Sequence, residues 1–212
     1  MFSQVGSQQL SGVDRCPHCA IATPLFYRVW FSETAVTRRD NGASSTWAAY
    51  ACSSCGSIVL AQGYPTPGQY ADYNTWRVIP EAKNAHEDIP QPARRFLQQA
   101  MDTLHAPDAA AVMAGAAVDA MLKQQGFADG SLYKRIDEAL ASNVLTRPMA
   151  EWAHAVRLGS NRPRHADADN PHVSAEEAQQ SVEFAEALGT FLYVLTTRIA
   201  RGIEAANQAS TD

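Results

Sequence analysis

The 212-residue chain contains no apolar run of the roughly 20 residues that a membrane-spanning helix requires. Residues 1–10 carry neither the basic stretch nor the apolar stretch of a secretory signal. The net charge of −5 excludes a protein that coats DNA through bulk positive charge. The sequence also lacks a P-loop, the glycine pattern of dinucleotide-binding folds and a Ser-His-Asp signature. We therefore expect a cytoplasmic protein that does not associate with membranes.

Cysteine is scarce too, and the four cysteines form two pairs with two residues between the thiols of each pair. They are Cys16 and Cys19 in the stretch CPHC, and Cys52 and Cys55 in the stretch CSSC. A tight turn with this spacing directs both sulfur atoms at one ion, and two such turns complete the tetrahedral four-thiolate site of structural zinc. Disulfides fit less well in a chain without a secretory signal, and a redox site needs only one such pair. We expect structural Zn²⁺ as the cofactor.

Three short segments around the cysteines have the residue pattern of β-strands. They are Leu25–Phe31, Thr46–Ala51 and Ser57–Gln62, and Asn41-Gly42 is the expected turn between the first two. These strands and the paired cysteines predict a small zinc ribbon.

Composition changes sharply along the chain. Residues 1–78 hold 11 of the 18 aromatic residues and 9 alanines, whereas residues 79–212 hold 28 alanines. Between these regions the prolines at 65, 67, 80, 90 and 92 disfavour both a helix and a central strand. We expect a β zinc ribbon domain at 1–78, a linker at 79–90 and a helical bundle at 91–206, which makes the fold class mainly α.

The Ala-rich region has the apolar periodicity of about five helices. The expected spans are Gln91–Leu104, Pro107–Gln125, Ser131–Ala141, a helix that begins at Thr146, and a long last helix that begins at Ser174. Ser174 and Glu177 predict a capping box at the start of that last helix. Its apolar stripe is wide enough to need two neighbours, so the helix is central or lies at a dimer interface. The stripe consists of Ala185, Leu188, Leu192, Leu195 and Ile199, widened by Phe184, Phe191 and Val194.

The segment Arg157–His165 interrupts the helical pattern, because Gly159 and Pro163 each disfavour a continuing helix. Arg157, Asn161 and His165 recur every four residues and would share one face if the segment stayed helical. Such a cluster suits an oxyanion or phosphate, whose geometry the planar arginine fork matches. The alternative is a solvated loop in which Asn161 caps the break and Arg157 pairs with an acid on a neighbouring helix.

Asp119 lies among small and apolar residues on the second expected helix, where a carboxylate is costly unless it is paired. Gly115 and Ala116 leave room for a long side chain to approach it. We expect Arg157 to be that partner; the alternative is Lys123, four residues later on the same helix.

Three stretches of the helical region resemble a bacterial domain family of unknown function in the HEPN superfamily, the higher eukaryotes and prokaryotes nucleotide-binding helical domains. They are Ala117–Asp119, Leu132–Ile136, and the junction from Trp152 to His165 with its R-x3-N-x3-H pattern. The resemblance covers roughly residues 78–200 and implies a HEPN-like helical bundle, a domain that in this family often follows a zinc ribbon.

The resemblance also implies a function. Catalytic HEPN domains cleave RNA without a metal through an Arg and a His, at a site that two protomers usually build. Arg157, Asn161 and His165 resemble those motif positions, so they are the candidate catalytic residues. The chain would then be a homodimeric ribonuclease of a toxin or phage-defence system, leaving 2′,3′-cyclic phosphate ends.

Further residues take supporting roles in this hypothesis. Arg162 and Arg164 would bind RNA and steer it into the site, and Asp119 would position Arg157 from the second helix. Two other classes stay open. One is a non-catalytic module or adaptor that binds nucleic acid or a partner protein, and the other is a structural protein whose long helix drives oligomerisation.

Overall fold

The computed structural model describes residues 2–65 and 73–209, and the chain divides into two compact units, Met1–Lys83 and Asn84–Asp212. The N-terminal unit is a five-stranded antiparallel sheet curled into a half-barrel, and the C-terminal unit is helical. Helices account for 46% of the chain and strands for 17%. The fold is therefore mixed α/β, and the mainly α class expected from the sequence is wrong.

Each strand of the sheet pairs with the strand that precedes it in the chain, so the order is β1-β2-β3-β4-β5. Asn41-Gly42 lies in the connection between β2 and β3, where Asn41 has a φ of +59°. The strands are β1 (Gln9–Leu10), β2 (Phe26–Phe31), β3 (Thr46–Cys52), β4 (Ile58–Pro65) and β5 (Tyr73–Ile79).

The sequence analysis missed β1 and β5, the two edge strands that complete the five-stranded sheet. The prolines at 65 and 80 predicted irregular chain, but Pro65 is the last residue of β4 and Pro80 directly follows β5. Proline is tolerated at a strand end, because no interior ladder hydrogen bond is lost there. The predicted linker at 79–90 thus begins with the last residue of a strand. Of the predicted join, residues 66–72 lie outside the described residues.

One face of the sheet carries the core of the N-terminal unit. Phe26, Tyr50 and Val59 are fully buried there, and Cys16 and Cys52 belong to the same apolar cluster. Burial of the two cysteines in this cluster fixes both CxxC segments to the sheet.

The helices of the C-terminal unit follow the expected order. They are α1 (Ala93–Asp102), α2 (Pro107–Gln124), α3 (Leu132–Ala141), α4 (Arg147–His165), α5 (Ala175–Gly189) and α6 (Leu195–Ala209), with a π-helical turn at Thr190–Val194 joining the last two into one rod. Helix α2 lies at the centre and packs against α1, α4 and α5. Its fully buried positions are mostly alanine, so neighbouring backbones approach it closely.

Helix α4 continues through Gly159 and Pro163, so the predicted break at Arg157–His165 is wrong. The buried face of α4 extends to Ser160, which is 2% exposed and packs against Gly115 of α2. A mid-helix glycine costs about 1 kcal/mol relative to alanine. The helix continues through Gly159 with buried residues, Val156 and Ser160, on both sides of it. Pro163 lies in the last turn, and the helix ends at Ala166, whose φ is +45°.

The last helix begins with the predicted capping box between Ser174 and Glu177. Only the first part of its predicted stripe is buried: Leu188 is 1% exposed and Leu192 8%, whereas Leu195 is 44% and Ile199 53% exposed. The buried part ends within the π-helical turn at Thr190–Val194, which contains Leu192. The second half of the stripe is therefore exposed in the single chain.

We predict that Leu188→Ala destabilises the helical unit by about 2–5 kcal/mol, because it leaves a cavity beside α2. Urea unfolding followed by circular dichroism measures the change. Leu158→Ala is the matched control, since Leu158 is a helical leucine that is 56% exposed, and it should change stability by no more than about 0.5 kcal/mol. Equal effects of the two substitutions would contradict the assigned core.

Candidate functional site

The four cysteines converge at one point of the N-terminal unit. The Sγ atoms of Cys16, Cys19, Cys52 and Cys55 all lie within 4.8 Å of one another, and those of Cys16 and Cys55 are 4.0 Å apart. Tetrahedral coordination with metal–sulfur bonds of about 2.3 Å places sulfur atoms about 3.8 Å apart. The four thiols therefore have both the donor chemistry and the spacing of a metal site.

The two CxxC segments have the same backbone structure. In the first, the N–H of Ala20 donates to the carbonyl of Cys16 over 2.9 Å, and in the second, the N–H of Gly56 donates to the carbonyl of Cys52 over 2.8 Å. The residue after each second cysteine is left-handed, with φ of +58° at Ala20 and +73° at Gly56. Glycine adopts this conformation without strain, which explains Gly56. Both turns are thus knuckles that present two sulfur atoms to a common centre.

The thiols differ in their electrostatic surroundings. Burial raises the pKa of Cys16 to about 12 and also raises the pKa of Cys19. Burial acts the same way on Cys55, but hydrogen bonds from the side chain and backbone of Ser57 and from the thiols of Cys19 and Cys52 together outweigh it and lower the pKa to about 7. A bound cation would favour the thiolate form of every ligand.

Helix α4 carries the other predicted site residues. The guanidinium of Arg157 lies 5.3 Å from the centre of the Tyr133 ring of α3, and its buried Nε has no hydrogen-bond partner among the described residues. Tyr133 also contacts His154, with ring centres 4.9 Å apart. Arg157 is therefore held by a cation–π contact, and the predicted pairing with Asp119 is wrong.

Asp119 pairs with two other cations. Its Oδ1 accepts from Arg135 of α3 over 2.7 Å, and its Oδ2 lies 2.6 Å from Nζ of Lys123. Lys123, the alternative partner that the sequence offered for Asp119, is thus one of its two partners. Arg135 is the other, and the sequence analysis missed it. In the sequence, Arg135 stands next to Ile136 on the face of its helix that was expected to be buried. The spacing of residues along the chain does not show whether Arg135 or Arg157 pairs with Asp119.

Asn161, Arg162 and His165 line one groove with a volume of about 580 Å³ between α4 and α5. Trp152, which is 43% exposed, lies in the same groove. His165 is in the last turn of α4, exposed to solvent, and makes no side-chain hydrogen bond to the described residues. The groove thus combines an indole ring with an imidazole and a guanidinium.

Arg162 is partly neutralised in this groove. Its guanidinium lies 2.7 Å from a carboxylate oxygen of Glu177, the capping-box residue of α5. The backbone N–H of Ser174, together with Arg162, lowers the pKa of Glu177. Arg164 points to a different place, a cavity that it shares with Asp119 and Arg135. The two arginines predicted to bind RNA therefore serve two separate surfaces.

Two further side chains near Arg157 were missed by the sequence analysis. His154 Nε2 lies 3.1 Å from Asp137 Oδ1, which joins α4 to α3 one turn before Arg157. No motif singles out this pair, because its members are 17 residues apart. No helix in the described part of the chain is long and apolar enough to cross a membrane.

Residues 92–206, more than half of the chain, match a family described as "Domain of unknown function (DUF4145)". No curated protein and no solved structure matches the chain.

We predict that the purified protein binds one metal ion per chain and that Cys52→Ser abolishes this binding. The substitution should also unfold the N-terminal unit, since binding energy at a structural thiolate site is folding energy, of the order of 10–16 kcal/mol. Metal content by mass spectrometry and proteolysis of the N-terminal unit are the measurements. Ser54→Ala, a change between the two cysteines of the same knuckle, should leave both unaffected. An ordered N-terminal unit in metal-free protein would contradict the assignment.

Proposed function

This chain belongs to the DUF4145 family, and we propose that it is a HEPN-like, metal-independent ribonuclease that acts on RNA along α4. We propose further that Zn²⁺ on the four cysteines holds the N-terminal unit together, since closed four-thiolate sites are typical of structural zinc.

One observation carries the proposal. Arg157, Asn161 and His165 occupy three successive turns of α4, and none of their side chains makes a hydrogen bond or ion pair to the described residues. Two nearby arginines do have such partners: Arg135 pairs with Asp119, and Arg162 with Glu177. The unpaired groups along α4 therefore keep their donors and acceptors available for a ligand.

These residue types suit the cleavage of RNA through its own 2′-hydroxyl. A base removes the 2′-hydroxyl proton, the 2′-oxygen bonds to phosphorus, and the bond from phosphorus to the 5′-oxygen breaks as that oxygen takes a proton. The products are a 2′,3′-cyclic phosphate and a 5′-hydroxyl. No metal is required, because histidine exchanges protons near neutral pH and arginine stabilises the charge on the phosphate.

In this mechanism His165 transfers the proton and Arg157 holds the phosphate. Asn161, which lies one turn of α4 from each of them, orients the phosphate or His165. A single imidazole cannot easily serve both sides of the scissile phosphate, so the second proton transfer comes from His165 of a second copy. We therefore propose a two-fold homodimer that places the two α4 helices against one RNA.

A non-catalytic RNA-binding module is the second candidate. The exposed Trp152 ring in the groove with Asn161, Arg162 and His165 favours it. Aromatic rings beside cations are typical of single-strand binding surfaces, where a base stacks on the ring and the cation contacts the backbone.

We predict that wild-type protein cleaves RNA in EDTA and leaves 2′,3′-cyclic phosphate ends, and that His165→Ala and Arg157→Ala each lower the rate by about 10²-fold or more. Electrophoresis of a labelled oligoribonucleotide and chemical mapping of its ends give the result. EDTA also tests the independence of the reaction from metal.

Two substitutions control this experiment. His105→Ala removes another exposed histidine of the helical unit, and Arg147→Ala removes an exposed arginine at the start of α4, so both should retain the wild-type rate. If every protein leaves the RNA intact but only the wild type and the controls bind it, the binding module is the function. Absence of both cleavage and binding would reject the ribonuclease and the RNA-binding module alike.

We predict a dimer in solution, and light scattering at micromolar concentration measures it. Mass corresponding to a single chain would contradict the two-copy site.

A further inference from the structure

A cavity with a volume of about 380 Å³ lies between α2, α3 and α4, outside the groove that His165 lines. Its apolar wall comes from Val112, Ala116 and Leu132, and its charged wall comes from Asp119, Arg135 and Arg164. Ligand cavities usually measure about 300–1,000 Å³, so this cavity suits a small molecule or the end of a larger one.

Arg135 supplies a largely buried positive charge to the cavity. Its side chain is only 9% exposed, one terminal nitrogen donates to Asp119, and the other donates to the carbonyl of Ala128 over 3.0 Å. Its Nε is buried and has no hydrogen-bond partner among the described residues. A guanidinium has five N–H donors, so each terminal nitrogen of Arg135 keeps a second N–H beyond the hydrogen bond that it makes.

The charges around the cavity do not cancel. Arg135 and Arg164 line the cavity and supply two positive charges. The negative charge of Asp119, which also lines it, is offset by Lys123, whose Nζ lies 2.6 Å from Oδ2 of Asp119 but outside the lining. Arg164 is exposed and makes no hydrogen bond or ion pair to the described residues. This local excess occurs in a helical unit that holds 17 acidic against 11 basic residues.

We infer that this cavity binds a phosphate monoester. At neutral pH a monoester carries a charge of about −1.5 to −2, which matches the local excess of two positive charges, whereas a diester carries one negative charge. The two arginines hold the phosphate through charge-assisted hydrogen bonds. The apolar wall covers the organic group attached to it.

A phosphate monoester can come from two sources, the phosphorylated end of an RNA or a free sugar phosphate. Both present the same group to Arg135 and Arg164, and the choice between them depends on the rest of the molecule. The inference does not depend on RNA cleavage, because neither source has to react in order to bind.

Calorimetric titration of the full chain with ribose 5-phosphate tests the inference, since this ligand has no phosphodiester bond to cleave. Wild type should bind it at least about tenfold more tightly than dimethyl phosphate, a singly charged diester. Arg164→Gln should weaken binding about tenfold, the effect expected for one hydrogen bond to a charged group. Ala116→Leu should weaken it at least as much, because the larger side chain fills the cavity without removing a charge.

Arg147→Gln is the matched control, since it removes an exposed arginine at the other end of the same helix and should bind like the wild type. These variants avoid Arg135, whose loss would leave Asp119 without its buried partner. Circular dichroism of each variant confirms that it is folded.

Competition between ribose 5-phosphate and oligoribonucleotides identifies the source. Stronger competition by a 5′-phosphorylated oligonucleotide than by its 5′-hydroxyl form assigns the cavity to an RNA end, and equal weak competition assigns it to a free sugar phosphate. Failure of the wild type to bind ribose 5-phosphate, equal binding of dimethyl phosphate, or unchanged binding by both cavity variants would overturn the inference. The ribonuclease proposal is tested separately, by cleavage with His165 and Arg157 variants.

Discussion

The arrangement of the helical unit depends on the close approach of α2 and α4 at Gly115. A Cβ atom at this position would lie 2.6 Å from Oγ of Ser160, so any larger residue would force the helices apart. Ser160 is 2% exposed, and its hydroxyl donates to the carbonyl of Arg157 over 3.0 Å. Because Ser160 faces α2, the turns around it direct Asn161 away from the core. The contact therefore determines which side chains of α4 reach solvent.

The features that the sequence predicted correctly are encoded within a few residues. The capping box needs only Ser174 and Glu177, three residues apart, and each cysteine knuckle needs only its CxxC segment. Such local signals do not depend on which helix or strand lies nearby. The convergence of the two knuckles on one site was also predictable. Disulfides and a redox site both fit this cysteine pattern less well than a shared metal ion does.

The features that the sequence did not predict depend on contacts between distant segments. Gly159 and Pro163 carry local penalties against a helix, and only the packing of Ser160 against α2 shows that burial outweighs them. The partner of Asp119 is decided by the distance between α2 and α3, which the chain does not reveal. Strand β5 was missed because proline is common both in loops and at strand ends. Pro65, at the end of β4, and Pro80, directly after β5, therefore did not distinguish a strand from a loop.

Unpaired arginines in an acidic unit need a structural reason, because carboxylates are abundant there. The helical unit has 17 acidic residues for 11 basic ones, and α4 alone shows both outcomes. Arg162 faces α5 and pairs with Glu177. Arg157 lies over the Tyr133 ring instead. Arg164 lines a cavity in which Asp119 already pairs with two other cations. Helix positions, and not a shortage of acids, leave these two guanidiniums without a carboxylate of their own. Arg157 and Arg164, which precede and follow Ser160 along α4, are therefore the positive charges on which both proposals for this helix rest.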